Sequence, residues 1–188
     1  MEILGNTDDN TVEGHSQGLR LHFHSRGCRV RLGTDCVLAG LTVHIRSPDC
    51  ILEIGDRSIA RGDIHMKSPG ARVTVGSNLR ARTGIFMNVT GGFVSIGDDC
   101  LFANVKFRTS DSHTLMDAAS GEVLNPPGNI EVGDRVWLAE DVLLLRNARV
   151  GADSAVGARS IVNGEIPPAS LAVGSPARVV RQGIRWKE

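Results

Sequence analysis

The sequence predicts an all-β chain wound as a parallel β-helix, a solenoid of short stacked strands with one extruded loop and a short C-terminal cap. Three observations predict it. First, one motif recurs along the 188 residues: Leu32-Gly-Thr-Asp-Cys36, Ile54-Gly-Asp-Arg-Ser58, Val75-Gly-Ser-Asn-Leu79, Ile96-Gly-Asp-Asp-Cys100, Val132-Gly-Asp-Arg-Val136 and Val150-Gly-Ala-Asp-Ser154. The first four copies follow one another after 22, 21 and 21 residues, and the last two are 18 apart, which is the self-similarity of a repeat architecture. Second, a finer period of six runs inside it: Val132, Leu138, Leu144, Val150, Val156 and Val162 without a gap, and Ile54, Ala60 and Met66 earlier. A helix repeats at three and four and a lone strand at two, so six inside eighteen fits three short strands per coil. Third, aromatics are only 4% with no Tyr, while there are 22 Gly; a core of Val, Ile, Leu and small residues suits stacked, narrow coils.

The elements follow in order. Residues 1–18 are polar and read as a loose N-terminal arm. Leu19, Leu21 and Phe23 alternate with Arg20, His22 and His24 and read as a first strand. From there to 165 the coils stack at about 4.8 Å per rung. The glycine of each motif copy is expected to relieve a corner with positive φ, with the neighbouring Asp, Asn and Ser suited to a turn. Pro167-Pro168 end the ladder because proline has no N–H to give it. Residues 166–188 then form the cap, with Trp186 covering apolar surface.

The repeat breaks once, between Val105 and Ile130, and the loop spans 108–129. Loops thrown from a rigid scaffold carry function. On an extended chain Asp111 and His113 share one face and Ser112 takes the other, and a carboxylate two residues from a histidine can fix its tautomer and raise its basicity. From Phe102 to Phe107 is five residues where Ala60 to Met66 is six, so the entering strand is one residue short and His113 could be displaced along the coil.

Composition excludes several classes. Lys plus Arg equal Asp plus Glu at 21 each, so no bulk basic surface marks a nucleic-acid binder. The longest uncharged stretch, Thr83 to Gly97, is too short to span a bilayer and is broken by polar residues and glycines. The acidic start lacks an apolar signal core, and the expectation is a cytoplasmic protein. Cys28, Cys36, Cys50 and Cys100 have no metal spacing and are expected to be small packed residues with free thiols.

At this point the residues resemble a known family. The six-residue repeat, Arg108-Thr-Ser-Asp-Ser-His113, Val132-Gly-Asp-Arg-Val-Trp137-Leu-Ala139 and the closing Ile166-Pro-Pro-Ala-Ser-Leu-Ala-Val-Gly-Ser-Pro-Ala-Arg-Val-Val-Arg181 look like the hexapeptide-repeat acyltransferases, nearest the bacterial sugar and polysaccharide O-acetyltransferases. The resemblance covers about residues 27–181. It implies a left-handed parallel β-helix, a homotrimer with sites between subunits, and acetyl-CoA as donor to a glycan or nucleotide-sugar acceptor with no metal. His113 falls on the family's catalytic histidine, with Asp111 beside it. Trp137, Ala139, Ala158, Asn163, Arg178 and Arg181 fall on positions that meet coenzyme A. Gly164 stands where many members carry lysine, Glu140 where a small hydroxyl residue is common, and Ser175 where Asn is frequent. An amino-sugar acceptor is the nearest alternative. A zinc-dependent hydratase of carbonic-anhydrase type is another, since His22, His44 and His65 each precede a motif copy by ten residues and should stack in one column, continued by Phe86. A non-catalytic binding solenoid is a third.

Overall fold

The computed structural model, which describes residues 1–187, is a parallel β-helix of about eight coils with no α-helix among the described residues. Where the repeat is most regular, Trp137–Leu138, Leu143–Leu144 and Arg149–Val150 are the three strands of one coil. Each pairs in parallel with its equivalent on the next coil: Leu138 with Val156 and Leu144 with Val162, eighteen residues on, and Val150 with Ile166, sixteen residues on. One residue of each pair points in and the next points out, so Leu138, Leu144, Val150, Val156 and Val162 line the interior. The expected six-residue period is this inward column.

The motif copies owe their form to the way corners stack. Positive φ falls on the residue two after each glycine: Asp35, Arg57, Asn78, Asp99, Arg135 and Asp153, with φ between 51 and 61°. The glycines themselves are not in that region, which corrects the expected reason for them. They are required by close approach: a Cβ on Gly55 would stand 2.6 Å from the carbonyl carbon of Gly76, and one on Gly133 would stand 2.7 Å from the amide nitrogen of Ala152. The acid after the glycine joins the coils: Asp56 Oδ1 accepts from Thr34 N–H (2.7 Å), Asp98 Oδ1 from Ser77 N–H (2.7 Å) and Asp134 Oδ1 from Asp98 N–H (2.9 Å). Inside, buried serines repeat the device: Ser58 Oγ donates to Gly76 O and accepts from Leu79 N–H. Such a ladder leaves few backbone groups unpaired at the corners.

Early coils depart from six. The inward residue equivalent to Met87 and Phe107 is Ile64, not Met66, because the ladder shifts between Ala60 and Gly62. The missing residue before the loop is taken up at the corner around Asn104, whose φ is 52°, and Phe107 still pairs with both Met87 and Leu144. The strand entering the loop therefore holds its register.

The two ends differ from the reading of the sequence. Residues 1–18 are not a loose arm: Glu2–Gly5 pairs with Arg20–Phe23 and Thr11–Glu13 with Arg29–Leu32. Among the described residues no further rung pairs with the outer side of this coil, and its exposed strands still propagate the ladder. At the other end Ser170–Gly174 adds the last parallel rung and turns back as an antiparallel hairpin with Ala177–Gln182. Trp186 does not cap that end. Its indole N–H donates to Arg135 O (2.6 Å), and its ring lies 6.4 Å from that of Trp137.

All four cysteines are free thiols, with Cys28, Cys50 and Cys100 buried and Cys36 half-buried. Burial raises the Cys50 thiol to about 11 and the Cys100 thiol to about 12.

Candidate active site

The loop leaves the solenoid after Val105–Arg108 and returns at Ile130–Val132. Its base is tied by Thr109, which is buried: its Oγ1 accepts from Thr90 N–H (2.8 Å) and its carbonyl accepts from Gly128 N–H. The tip is a small antiparallel turn in which Met116 bridges Val123 and Asp117 Oδ1 accepts from Ala119 and Ser120 N–H.

Between base and tip sits Asn125, 5% exposed. Its Nδ2 donates to Asp111 Oδ2 (3.0 Å) and to His113 O (2.8 Å), while its Oδ1 accepts from Leu115 N–H (2.6 Å). Arg146, from the next coil, donates through Nε to the same Asp111 oxygen at 3.1 Å. Together these hold the Asp111 carboxyl below the usual carboxylate range, the Asn125 hydrogen bond being the larger cause and Arg146 the next. Ser112 has φ of 69°, so the backbone folds over between Asp111 and His113 and the same-face arrangement of an extended chain does not form. The carboxylate meets Asn125 and Arg146, and its link to His113 runs through the Asn125 amide to the His113 carbonyl. The imidazole itself is exposed. Asn125 and Arg146 were not singled out in the sequence. They lie 14 and 35 residues from Asp111, and no periodicity connects them.

Two results are expected here. Asn125→Ala removes three hydrogen bonds, and a buried bond of this kind is worth about 1–1.5 kcal/mol with unpaired partners costing more. Amide exchange over 111–125 should accelerate by about tenfold to a hundredfold while the melting temperature barely moves. The depressed Asp111 carboxyl gives the second. A group whose folded value lies below its unfolded one stabilises fully above the ordinary carboxylate value and is lost as pH falls through the lowered one. The loop should therefore stay protected to about pH 4 and open to protease below it, and Arg146→Gln should move that opening upward.

Trp137 lies on a different face, outward and 40% exposed, in register between Leu101 and Ala155. Ala139 follows it, its N–H donating to Val156 O. Ala158, Asn163, Arg178 and Arg181 are exposed at the C-terminal coils and hairpin. One chain thus presents His113 and Trp137 on separate faces of the prism.

The histidines do stack. His22 and His44 pair in register, as do His44 and His65, with ring centroids 4.8 and 4.7 Å apart, the latter pair within 3° of parallel. The backbone column continues to Asn88, and Phe86 is opposite Asp63; the Phe86 ring nonetheless leans on His65 at 5.6 Å. His44, Asp63 and His65 bring potential ligand atoms within 4.8 Å of one another. Parallel rings send their in-plane lone pairs side by side, whereas a tetrahedral ion at about 2.0–2.1 Å from each nitrogen needs them to converge. Burial, first, and then neighbouring charge (His65 and His22 for His44, Arg46 and Lys67 for His65) lower both imidazoles from their usual value.

No family model matches the chain. Over nearly its whole length, however, it superposes on the polysialic acid-specific acetyltransferase NeuO, with a TM-score of 0.84 and 25% identity, covering 97% of this chain and 90% of that one. The chain thus shares the fold of this acetyltransferase, the parallel β-helix expected from the resemblance to hexapeptide-repeat acetyltransferases. Over part of its sequence it is 38% identical, across 63 residues, to the galactoside O-acetyltransferase of Escherichia coli, 34% of this chain and 30% of that protein. Proteins of Staphylococcus aureus named as acetyltransferases match at 38% over 71 residues, 38% of this chain. The match spans about a third of the length of these curated relatives (36% for the Staphylococcus proteins). The polysialic acid O-acetyltransferase OatWY shares the fold, with a TM-score of 0.75 at 18% identity over all of this chain and 88% of that one. Among the described residues no helix is long and apolar enough to cross a membrane.

Proposed function

We propose that the chain transfers acetyl from acetyl-CoA to a hydroxyl of a sugar or surface glycan, with His113 as general base. The observation that carries this reading is the single break in the solenoid. It lifts one histidine out on a loop pinned by Asn125, Asp111 and Arg146, in a chain that matches an acetyltransferase end to end. The imidazole is exposed on a loop whose backbone is pinned at the His113 carbonyl, and as general base it takes the proton from the acceptor hydroxyl as that oxygen attacks the thioester carbonyl. The tetrahedral adduct collapses, the C–S bond breaks, and the imidazolium returns the proton to the departing thiolate. Attack is direct, so no acyl-enzyme forms and no metal is required. Asp111 acts as a positioning residue.

Coenzyme A lies along the outward column of Trp137 and Ala139, with Ala158 admitting the pantetheine arm, Asn163 near the adenine, and Arg178 and Arg181 meeting phosphates. Because His113 and Trp137 stand on separate faces, the site is completed between copies, in a homotrimer. The loop is suited to such a contact: Leu115, Met116, Val123 and Leu124 are exposed by 45 to 60%, apolar surface that a neighbouring subunit would cover. The reaction belongs in the cytoplasm, with the donor.

The test is calorimetry with acetyl-CoA in the presence of a chelator, followed by CoA release on a panel of glycans. Micromolar binding and acceptor-dependent release are expected. An ester product is labile to mild base, and a base-stable product would reassign the acceptor to an amine. Absence of acetyl-CoA binding would remove the transferase reading.

A further inference from the structure

The chain is neutral overall, with 21 cationic and 21 acidic side chains, yet the solenoid sorts charge unevenly among its faces. The rungs Arg20–Phe23, Leu41–Ile45, Ile59–Met66, Arg80–Val89 and Val105–Arg108 stack in register. Outward from these five rungs, including the residues that just follow two of the strands, stand Arg20, Arg46, Lys67, Lys106 and Arg108, with Asp63 among them and Glu2 opposite Arg20 on the end rung as the facing acids. All five cations are exposed. Through their middle runs the ring ladder of His22, His44 and His65, with His24 beside it at 6.2 Å from His44. The ladder passes in register to Asn88 and then Arg108, and Arg108 is the last strand residue before the loop that carries His113. On two neighbouring rungs, His65 Nδ1 and Asn88 Oδ1 are buried without a hydrogen-bond partner among the described residues, which is uncommon away from functional surfaces.

We infer that this face is the acceptor track: it holds an extended, carboxylate-bearing glycan along the stack of rungs and delivers one of its hydroxyls to His113. The inference rests on the transferase reading and names its acceptor class. Four steps of about 4.8 Å give a track of about 19 Å, long enough for several sugar units in a row. The cations flank the ring column instead of filling it, so carboxylates along a polymer meet Arg46 and Lys67 while sugar faces and hydroxyls meet imidazole and Phe86. A neutral disaccharide uses little of this. A polyanion gains from every rung, and its affinity falls as salt screens exposed charge. The track also responds to pH. The groups facing His44 and His65 are His22, His24, Arg46, Lys67 and Asp63; burial first and then the neighbouring charges lower both imidazoles from their usual value, and an anionic chain laid across them favours their protonation. Binding should be accompanied by proton uptake and should tighten from about pH 8 to about pH 5.5.

The experiment uses the full chain and polysialic acid as probe, with neutral dextran and single-stranded DNA of equal length as comparisons. Binding is measured by calorimetry at two salt concentrations, on wild type, on Arg46→Glu/Lys67→Glu and on His44→Gln. The wild type should bind polysialic acid and not dextran. The double variant should bind at least tenfold more weakly, with acetyl-CoA affinity and melting temperature unchanged. His44→Gln should flatten the pH dependence. Equal binding of polysialic acid to wild type and double variant, or equal binding of dextran, would overturn the inference, and so would tighter binding of DNA than of the glycan. Acetyl transfer to a small neutral sugar without polymer binding would sink the track and leave the transferase standing. Loss of acetyl-CoA binding would do the reverse.

Discussion

His113→Ala is expected to lower kcat by about 10² to 10⁴, the usual contribution of a placed general base, while leaving acetyl-CoA affinity within a few fold of wild type. The separation follows from the geometry. His113 stands on the loop, and the positions proposed for coenzyme A run from Trp137 to the C-terminal hairpin. Arg146 joins the coils to the loop through Asp111, and that bond does not involve the imidazole. Removing the ring therefore leaves the pin intact, and loop amide exchange should match wild type. Asn125→Ala should give the opposite signature, fast exchange with a milder loss of rate. If His113→Ala kept its kcat, the base would have to be another group, and the loop would be reduced to a subunit contact.

Gly55→Ala should be strongly destabilising. The added Cβ would meet the Gly76 carbonyl carbon and the Ser77 amide nitrogen, both at 2.6 Å and both backbone of the next coil. Neither can move without opening the ladder that Gly55 N–H makes to Val75 O. Overpacking of this kind costs about 3 kcal/mol or more, or about 6–12 °C of melting temperature for a chain of this size. Gly121 is the comparison. A Cβ there meets nothing, and only its φ of 73° opposes alanine, so the cost should be about 1–2 kcal/mol. Since coils touch only their neighbours, Gly55→Ala should loosen the N-terminal coils first, with acetyl-CoA binding lost at a higher temperature than their secondary structure.

The fold was legible because every coil must solve the same stacking problem. A corner without room for a Cβ and an inward aliphatic are demanded six times over, with an Asp oxygen reaching the previous coil at three of the corners, and a demand made six times shows as periodicity. Where a coil solved the problem differently the reading slipped. The shift at Gly62 made Ile64 the equivalent of Met87, with Met66 buried opposite Val89, and moved the column from Phe86 to Asn88. The end coil was read as an arm because Glu2–Gly5 is exposed along its whole length, and hydropathy cannot register a strand that buries nothing. In the site, His113 and Asp111 stood out by their position in the only interruption. Asn125 did not, since its three bonds join points brought together by the loop's fold alone. The cationic face was hidden for another reason: equal totals of each sign say nothing about how alternation and register distribute them.

The cysteines have a practical consequence at the bench. With Cys28, Cys50 and Cys100 buried, and the Cys50 and Cys100 thiols pushed up by that burial, the folded chain contributes little to a thiol-reactive dye. Cys36, half-buried and also shifted upward by burial, is the one slow reporter. The sulfhydryl set free from each turnover can thus be followed continuously against a nearly silent background, and a sudden rise in colour would announce uncoiling of the protein before any loss of rate was noticed.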